Sequence, residues 1–375
     1  MENRVSWIDG IKGWACVIVM LGHCAVCILP NIYFGDSYQW HSQIERTIHG
    51  GLMSIFFNST SMVCLFFFIS GYLISLKESK SYIIKIAVGK YLKLVPMVAI
   101  GVIIPYVVMK CNWTYHLTLG ENSYAMRYVQ DYNNFVPFVW GRNGVLADIF
   151  IKSFIRNSKY NGTLWFIAPY LWGGMIAECI RCHIDSSKCR TLVYSILFIL
   201  CIGMDGIDWR LPYLGFIFGG AAIQCIINKF YMIRVNRYIS WICFVLGFYL
   251  LAPLEYVGIY SPLNVFNGCS LVIRFLGISL IVLAIISNES IKVIFNNKYA
   301  RFLGEYSFGI YVMQWGIIIS IGCMVTYITY VACNIPYLAS AVLGIGAACG
   351  VTILLAVVFT HYIYNKYIVY VKAVL

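Results

Sequence analysis

About ten apolar runs, each near the 20 residues that a helix needs to cross a bilayer, divide this 375-residue chain. They cover residues 8–30, 51–76, 91–109, 162–180, 190–204, 210–228, 238–254, 268–287, 307–331 and 337–364. In lipid every backbone polar group needs an internal partner, which leaves helices and closed barrels as the only spanning structures. Because the runs have helical length, the sequence predicts an all-α integral membrane protein with about ten transmembrane helices in a single bundle.

Composition and charge agree with the membrane class. The chain is 61% hydrophobic and 11% charged, whereas a soluble domain has roughly 25% charged residues. Most of its 27 lysines and arginines fall on segments that would share one side of the bilayer, which predicts that both termini are cytoplasmic. The net charge of +12 therefore reflects topology and anionic headgroups, and no nucleic-acid partner is expected. The first run lacks a small-residue cleavage site, so it is expected to remain as a span.

One membrane domain, 1–375, is predicted, with a long extracytoplasmic segment at 110–161. A structureless loop of this length is unusual, so the segment is expected to carry function or helices, including an amphipathic piece at 145–155. Two interpretations of its aromatic and amide side chains stay open: a surface for a sugar, or an interfacial belt. These side chains are Tyr124, Tyr128, Tyr132, Asn133, Asn134 and Trp140.

A histidine at membrane depth is the first candidate for chemistry. His23 lies in the middle of the first run, and an ionisable group there is costly enough to suggest a function. At about 100° per residue, His23 lies within about 20° of Lys12 and roughly 16 Å further along the helix. Asp9 falls on nearly the same face. The alternative is a neutral histidine that bonds to a neighbouring helix.

Two further clusters have competing interpretations. Lys90 and Lys93 form an i, i+3 pair at the start of the third run, where they could bind phosphate groups or simply set topology and contact lipid headgroups. Cys179, Cys182 and His183 could bind zinc, although no matching second half follows. Most other cysteines lie within the apolar runs and are expected to pack as small hydrophobic side chains.

Five short motifs, in order, resemble the acyltransferase 3 family of membrane acyltransferases. They are Asp9-Gly-Ile-Lys12 with His23, Phe66-Phe67-Phe68-Ile69-Ser70-Gly71-Tyr72-Leu73, Lys90-Tyr-Leu-Lys93-Leu-Val-Pro96, Leu164-Trp165-Phe166-Ile167 and Leu303-Gly304-Glu-Tyr306-Ser307-Phe308-Gly309-Ile310-Tyr311. No single motif is specific, but their order and spacing together are. The chain departs from the family pattern at Lys12, Lys90 and Lys93, where arginine is usual, and lysine cannot form the bidentate fork of arginine. Gln314 replaces a second histidine that many members carry, so no catalytic role is assigned there.

The resemblance implies an O-acyltransferase of the bacterial inner membrane that moves an acyl group, most often acetyl, from cytoplasmic acyl-CoA to a hydroxyl of a cell-envelope saccharide. His23 would be the general base or a transient acyl carrier, and Lys12, Lys90 and Lys93 would bind the donor phosphates. No metal is expected.

Five other residues are expected to support the site or its substrates. Ser70 and Tyr72 would place a small group or a hydroxyl near the reacting centre, or serve close packing between helices. Trp165 and Tyr311 would pack or stack on a substrate. Arg274 would bind an anionic acceptor group, pair structurally or snorkel. Two rival functions stay open: a transporter or flippase for a polysaccharide intermediate, with His23 and Arg274 on its path, and a non-enzymatic scaffold. Transport would need no thioester, and a scaffold would not need His23.

Overall fold

The computed structural model describes residues 5–35, 41–119, 144–229, 236–252 and 269–374, and these residues form helices without any strand. The predicted all-α membrane architecture is confirmed: eight described helices are long and apolar enough to cross a bilayer. The exact number of spans and the side on which the termini lie remain predictions.

The helices are numbered here in chain order. They are α1 Ser6–Ile28, α2 Pro30–Phe34, α3 Gln43–Gly50, α4 Ser59–Leu76, α5 Ile83–Lys110, α6 Tyr115–Leu119, α7 at 145–155 with a central π-turn Asp148–Lys152, α8 Ile167–His183, α9 Ser187–Gly203, α10 Leu211–Lys229, α11 Arg237–Leu251, α12 Ser270–Ser287, α13 Glu289–Phe295, α14 Lys298–Ala332 and α15 Tyr337–Val374. Short 3₁₀ helices, Leu52–Phe57 and Gly162–Phe166, precede α4 and α8. Both α14 and α15 contain π-turns within one continuous helix.

Each predicted run coincides with a helix, although several boundaries differ. The run at 51–76 is divided at Asn58, whose side chain accepts a hydrogen bond from the Ser61 amide and caps α4. Helix α5 begins eight residues before the apolar run. Its first turns contain lysines, which can lie at a membrane surface because their apolar stems are buried while the ammonium groups stay in water. The runs at 190–204 and 238–254 correspond to α9 and α11, which have 17 and 15 residues.

Helices α1 and α14 pack against each other more extensively than any other described pair. Their backbones approach so closely that side chains would not fit: a Cβ on Gly304 would lie 1.7 Å from the Asp9 carbonyl oxygen, and one on Gly13 would lie 2.0 Å from the Ala300 carbonyl oxygen. Small residues give this close approach in membranes, where van der Waals contact replaces the hydrophobic effect between helices. The contact fixes α1 and therefore the direction of His23.

The described end of the predicted extracytoplasmic segment packs against spanning helices. The Tyr91 hydroxyl of α5 donates to the Phe150 carbonyl at 2.8 Å, and the Trp172 indole of α8 donates to the Phe154 carbonyl at 2.9 Å. The predicted helical piece at 145–155 is therefore wedged between α5 and α8. Residues 120–143, with the aromatic and amide side chains singled out above from Tyr124 to Trp140, lie outside the described residues.

The α1–α14 contact generates a stability prediction. Gly304→Ala should push the two helices apart and lower the free energy of unfolding by about 1–3 kcal/mol, as overpacking does in well-filled cores. Gly346→Ala on α15 is the matched control, because a Cβ there has no atom within 4 Å. Thermal unfolding in detergent measures both variants. Equal unfolding midpoints for the two variants would contradict the close contact.

Candidate functional site

His23 faces a cavity of ≈ 660 Å³ between α1, α2, α4, α14 and the segment that precedes α8, called here the His23 cavity. Its walls combine rings with hydroxyl and amide groups and include one cation among the described residues. They are formed by His23, Val26, Tyr33, Ser59, Thr60, Val63, Asn157, Ser158, Lys159, Gly162, Thr163, Trp165, Trp209, Tyr311 and Trp315. Such a mixture of flat apolar faces and fixed polar groups is typical of small-molecule sites.

The His23 ring is held edge-on by two rings of α14. Its centroid lies 6.3 Å from that of Tyr311 and 6.1 Å from that of Trp315. Within the described part of the chain, His23 Nδ1, Trp315 Nε1 and both amide atoms of Gln314 are buried and make no hydrogen bond of good geometry, although the Gln314 amide lies close enough to the His23 ring to interact with it. Gln314 is fully buried beside His23. Unsatisfied buried polar groups are rare, so this cluster is a strong candidate for a place where substrate atoms bind.

A polar loop at 157–163 forms one wall of the His23 cavity. The buried Asp148 carboxylate accepts hydrogen bonds from the Ser158 hydroxyl at 2.8 Å and the Lys159 amide at 2.6 Å. The Tyr311 hydroxyl donates to the Thr163 carbonyl at 3.2 Å, which ties the loop to α14.

Asn161 anchors this loop to two spanning helices. Its side-chain amide donates to the Gly101 carbonyl at 2.8 Å and the Val312 carbonyl at 3.0 Å. Four residues after Gly101, Pro105 has no N–H, so the Gly101 carbonyl lacks its usual helical donor. Asn161 replaces that donor inside the membrane, where an unpaired carbonyl is costly.

Tilted aromatic rings form another part of the wall. The Trp165 ring lies 4.6 Å from Tyr213 and 4.8 Å from Trp209. Trp209 sits between Asp208 and Arg210, whose side chains are paired at 2.6 Å. Hydrogen bonds from Arg210 hold the pKa of Asp208 at about 2, so the pair stays ionised at neutral pH and fixes the Trp209 turn.

A second cavity of ≈ 170 Å³, the connecting cavity, lies on the far side of Tyr311. Lys12 and Ser70 line it, and Tyr311 and Val63 belong to both cavities. Lys12 Nζ lies 2.7 Å from an oxygen of the buried Asp9 carboxylate. The Ser70 hydroxyl donates to the Phe66 carbonyl of its own helix at 2.9 Å.

A third cavity of ≈ 520 Å³, the lysine cavity, follows beyond Tyr170 and Phe308, which it shares with the connecting cavity. Five cations line it: Lys77, Lys85, Lys90, Lys93 and Lys372. Glu178 pairs with Lys90 and with Lys77, each at 3.0 Å. Glu305 also lines the cavity, so five lysines face two carboxylates there. Lys93 has no ion pair with any described residue, and the lining keeps a net positive charge.

The three cavities follow one another along the same helices. Helix α4 contributes Thr60 to the first and Ser70 to the second, and Lys77 follows its end at the third. The helical rise puts Thr60 and Lys77 roughly 25 Å apart, which is close to the thickness of the hydrocarbon core. A file of cavities therefore runs across the membrane-spanning part of the bundle.

The predicted site residues divide into three groups. His23, Trp165 and Tyr311 line the His23 cavity, Lys12 and Ser70 line the connecting cavity with Asp9 beside Lys12, and Lys90 and Lys93 line the lysine cavity. Lys12 is thus separated from the other two lysines with which it was grouped. Two residues lie outside all three cavities: Tyr72 packs against Trp7, and Arg274 lies near Cys64 and Tyr213 with its Nε unpaired among the described residues.

Several lining residues were missed by sequence reasoning: Lys159, Trp209, Glu178 and Lys372 carry no local pattern. The need for a residue such as Asn161 could be read from the sequence. Pro105 lacks an N–H, so the Gly101 carbonyl four residues earlier needs a hydrogen-bond donor from elsewhere. Around the predicted zinc alternative, His183 Nδ1 lies 2.9 Å from the Cys179 carbonyl. No cluster suited to a metal occurs among the described residues, which include Cys179, Cys182 and His183.

Comparison with known proteins agrees with this architecture. The model of the acyltransferase domain family, the acyltransferase 3 family, matches residues 5–361, nearly the whole chain. No curated protein and no solved structure matches the chain. The chain belongs to the acyltransferase 3 family, and it is a multi-pass membrane acyltransferase.

The Asn161 anchor generates a double-variant prediction. Asn161→Ala should lower the free energy of unfolding by about 1–3 kcal/mol, because buried carbonyls lose their donor. In a Pro105→Ala background the backbone N–H restored at position 105 can bond to the Gly101 carbonyl, so the same substitution should cost measurably less. Unfolding in detergent of the two single variants and the double variant measures the coupling. An identical cost in both backgrounds would show that Asn161 does not replace the missing donor.

Proposed function

We propose that this acyltransferase moves an acyl group, most often acetyl, from a cytoplasmic acyl-CoA to a hydroxyl of a cell-envelope saccharide. The observation that carries the proposal is the imidazole of His23, whose buried Nδ1 is unpaired among the described residues. It lies in the His23 cavity of ≈ 660 Å³, in file with a lysine-lined cavity at the other end of α4. Family membership supports acyl transfer in general. The donor, the acceptor and the role of His23 are the proposed parts.

The lysine cavity suits the phosphates of coenzyme A. A thioester of coenzyme A carries a pyrophosphate and a further phosphate on one end and the acyl group on the other, joined by a long flexible arm. Lysine ammonium groups bind phosphate as point charges. The phosphates would lie at Lys93 and its neighbours while the arm extends along the connecting cavity past Ser70 and Lys12 towards His23.

The His23 cavity suits a saccharide acceptor. Sugars present apolar ring faces and a rim of hydroxyl groups, and the Trp165 and Trp209 rings and the polar loop at 157–163 offer matching partners. The charge rule assigns this end of the bundle to the extracytoplasmic side. The acceptor would therefore enter from outside a bacterial inner membrane, opposite the donor.

In the proposed reaction His23 acts as a general base. It takes the proton of the acceptor hydroxyl as the hydroxyl oxygen bonds to the thioester carbonyl carbon. The tetrahedral intermediate collapses, the carbon–sulfur bond breaks, and the sulfur leaves with its electron pair and receives the proton from His23. The products are the ester and free coenzyme A. The unpaired Trp315 Nε1–H and Gln314 amide beside His23 are the groups available to donate hydrogen bonds to the developing oxyanion.

Replacing the base tests the proposal. His23→Ala should reduce acyl transfer by 10²-fold or more, on the order of what general bases contribute. His183→Ala is the matched control, because His183 is exposed at the end of α8, outside the three cavities. Mass spectrometry of envelope glycans from cells that carry each variant measures acylation. Unaltered acylation with His23→Ala would reject the proposal, and altered export without altered acylation would favour transport.

The same protein distinguishes a base from an acyl carrier. Purified chain incubated with acetyl-CoA and no acceptor should keep its mass if His23 is only a base. A gain of one acetyl group that disappears in His23→Ala would identify His23 as a carrier and overturn the general-base assignment.

A further inference from the structure

The end of α15, Asn365–Val374, lies beyond the last residue matched by the family model, at 361. Two of its residues, Val371 and Lys372, nevertheless line the lysine cavity together with Lys90 and Lys93 of α5. We propose that this helix end is part of the donor-binding site and that Lys372 is a phosphate-binding residue. The inference rests on the proposed function, because it assigns a contact to the proposed donor.

The helix end is fastened to the wall of the cavity. The Tyr367 hydroxyl donates to the Leu92 carbonyl of α5 at 3.1 Å. Val371 is only 2% exposed, although its neighbours Tyr370 and Lys372 are exposed. One hydrogen bond and one buried apolar side chain thus hold this turn against α5 and direct Lys372 to the mouth of the cavity.

The distribution of charge explains why a further cation matters. Glu178 engages Lys77 and Lys90, so these two lysines are partly neutralised. Lys85, Lys93 and Lys372 form no ion pair with any described residue. Lys93 lies close enough to Lys77, Lys90 and Lys372 for their like charges to interact, and Glu178 is the one described carboxylate that opposes this repulsion at Lys93. Mutually repelling cations around a cavity favour a ligand with several negative charges. The phosphates of coenzyme A supply such charges.

Lys85, Lys93 and Lys372 are therefore the cations free to contact phosphate, whereas Lys90 is held by Glu178. This differs from a simple Lys90–Lys93 pair, because one of the free cations comes from the other end of the chain. Lys366 offers an internal control. It lies six residues before Lys372, about 120° away around the helix, and it is exposed and does not line the cavity.

Direct binding of coenzyme A to the purified full chain in nanodiscs of neutral lipid tests the inference. Lys372→Gln should weaken binding by about tenfold, as loss of one charge-assisted contact does. Lys372→Arg should keep most of the affinity, and Lys366→Gln should leave it unchanged. Lys93→Gln should weaken binding to a similar degree. Thermal unfolding of each variant confirms that the fold is intact.

The binding results for these variants separate the inference about Lys372 from the proposed function. Wild-type affinity in Lys372→Gln, with a loss in Lys93→Gln, would overturn the inference and leave the proposed function standing. No binding of coenzyme A to the native chain would reject both. Anionic phospholipid shares the phosphate chemistry, so a parallel arm measures retention of phosphatidylglycerol by native mass spectrometry. If Lys372→Gln lost the lipid but bound coenzyme A normally, Lys372 would be a headgroup contact and the inference would fail.

Discussion

The close contact between α1 and α14 is the constraint on which the rest of the site depends. Gly13 and Gly304 let the two backbones touch, and no larger residue fits at either position. Because α1 cannot rotate against α14, His23 is directed at Tyr311 and Trp315 rather than at lipid. An imidazole at membrane depth is energetically costly. In this chain the imidazole faces the His23 cavity.

Backbone or side-chain polar groups that lack a helical hydrogen-bond partner occur in two different arrangements in this bundle. The Gly101 carbonyl, left without a helical donor by Pro105, receives one from Asn161, and this bond shapes the loop that walls the His23 cavity. Around His23, Gln314 and Trp315, several polar atoms remain unpaired among the described residues. The first arrangement stabilises the scaffold. The second leaves hydrogen-bonding capacity at the His23 cavity, which the proposed acyl transfer would use to stabilise an oxyanion.

Helical periodicity alone was enough to place some residues. The spacing of Lys12 and His23 predicted one shared face, and both line adjacent cavities bounded by Tyr311. The apolar runs likewise predicted the helices. Contacts between distant segments could not be derived in this way, which is why Lys159, Trp209 and Lys372 were missed and why Lys12 was grouped with Lys90. Arg274 was singled out because a charged side chain within a membrane span is energetically costly. It lies outside the three cavities. The energetic cost shows that a residue is constrained, but it does not show what the residue does.

In the proposed reaction the acyl end of the donor reaches His23 from the lysine cavity through the connecting cavity. Filling that cavity with Ser70→Trp tests it most directly, with Ser70→Ala as the control of smaller volume. Ser70→Trp should still bind coenzyme A through its phosphates but transfer no acyl group, while Ser70→Ala retains activity. Native rates of acyl transfer in Ser70→Trp would contradict this route.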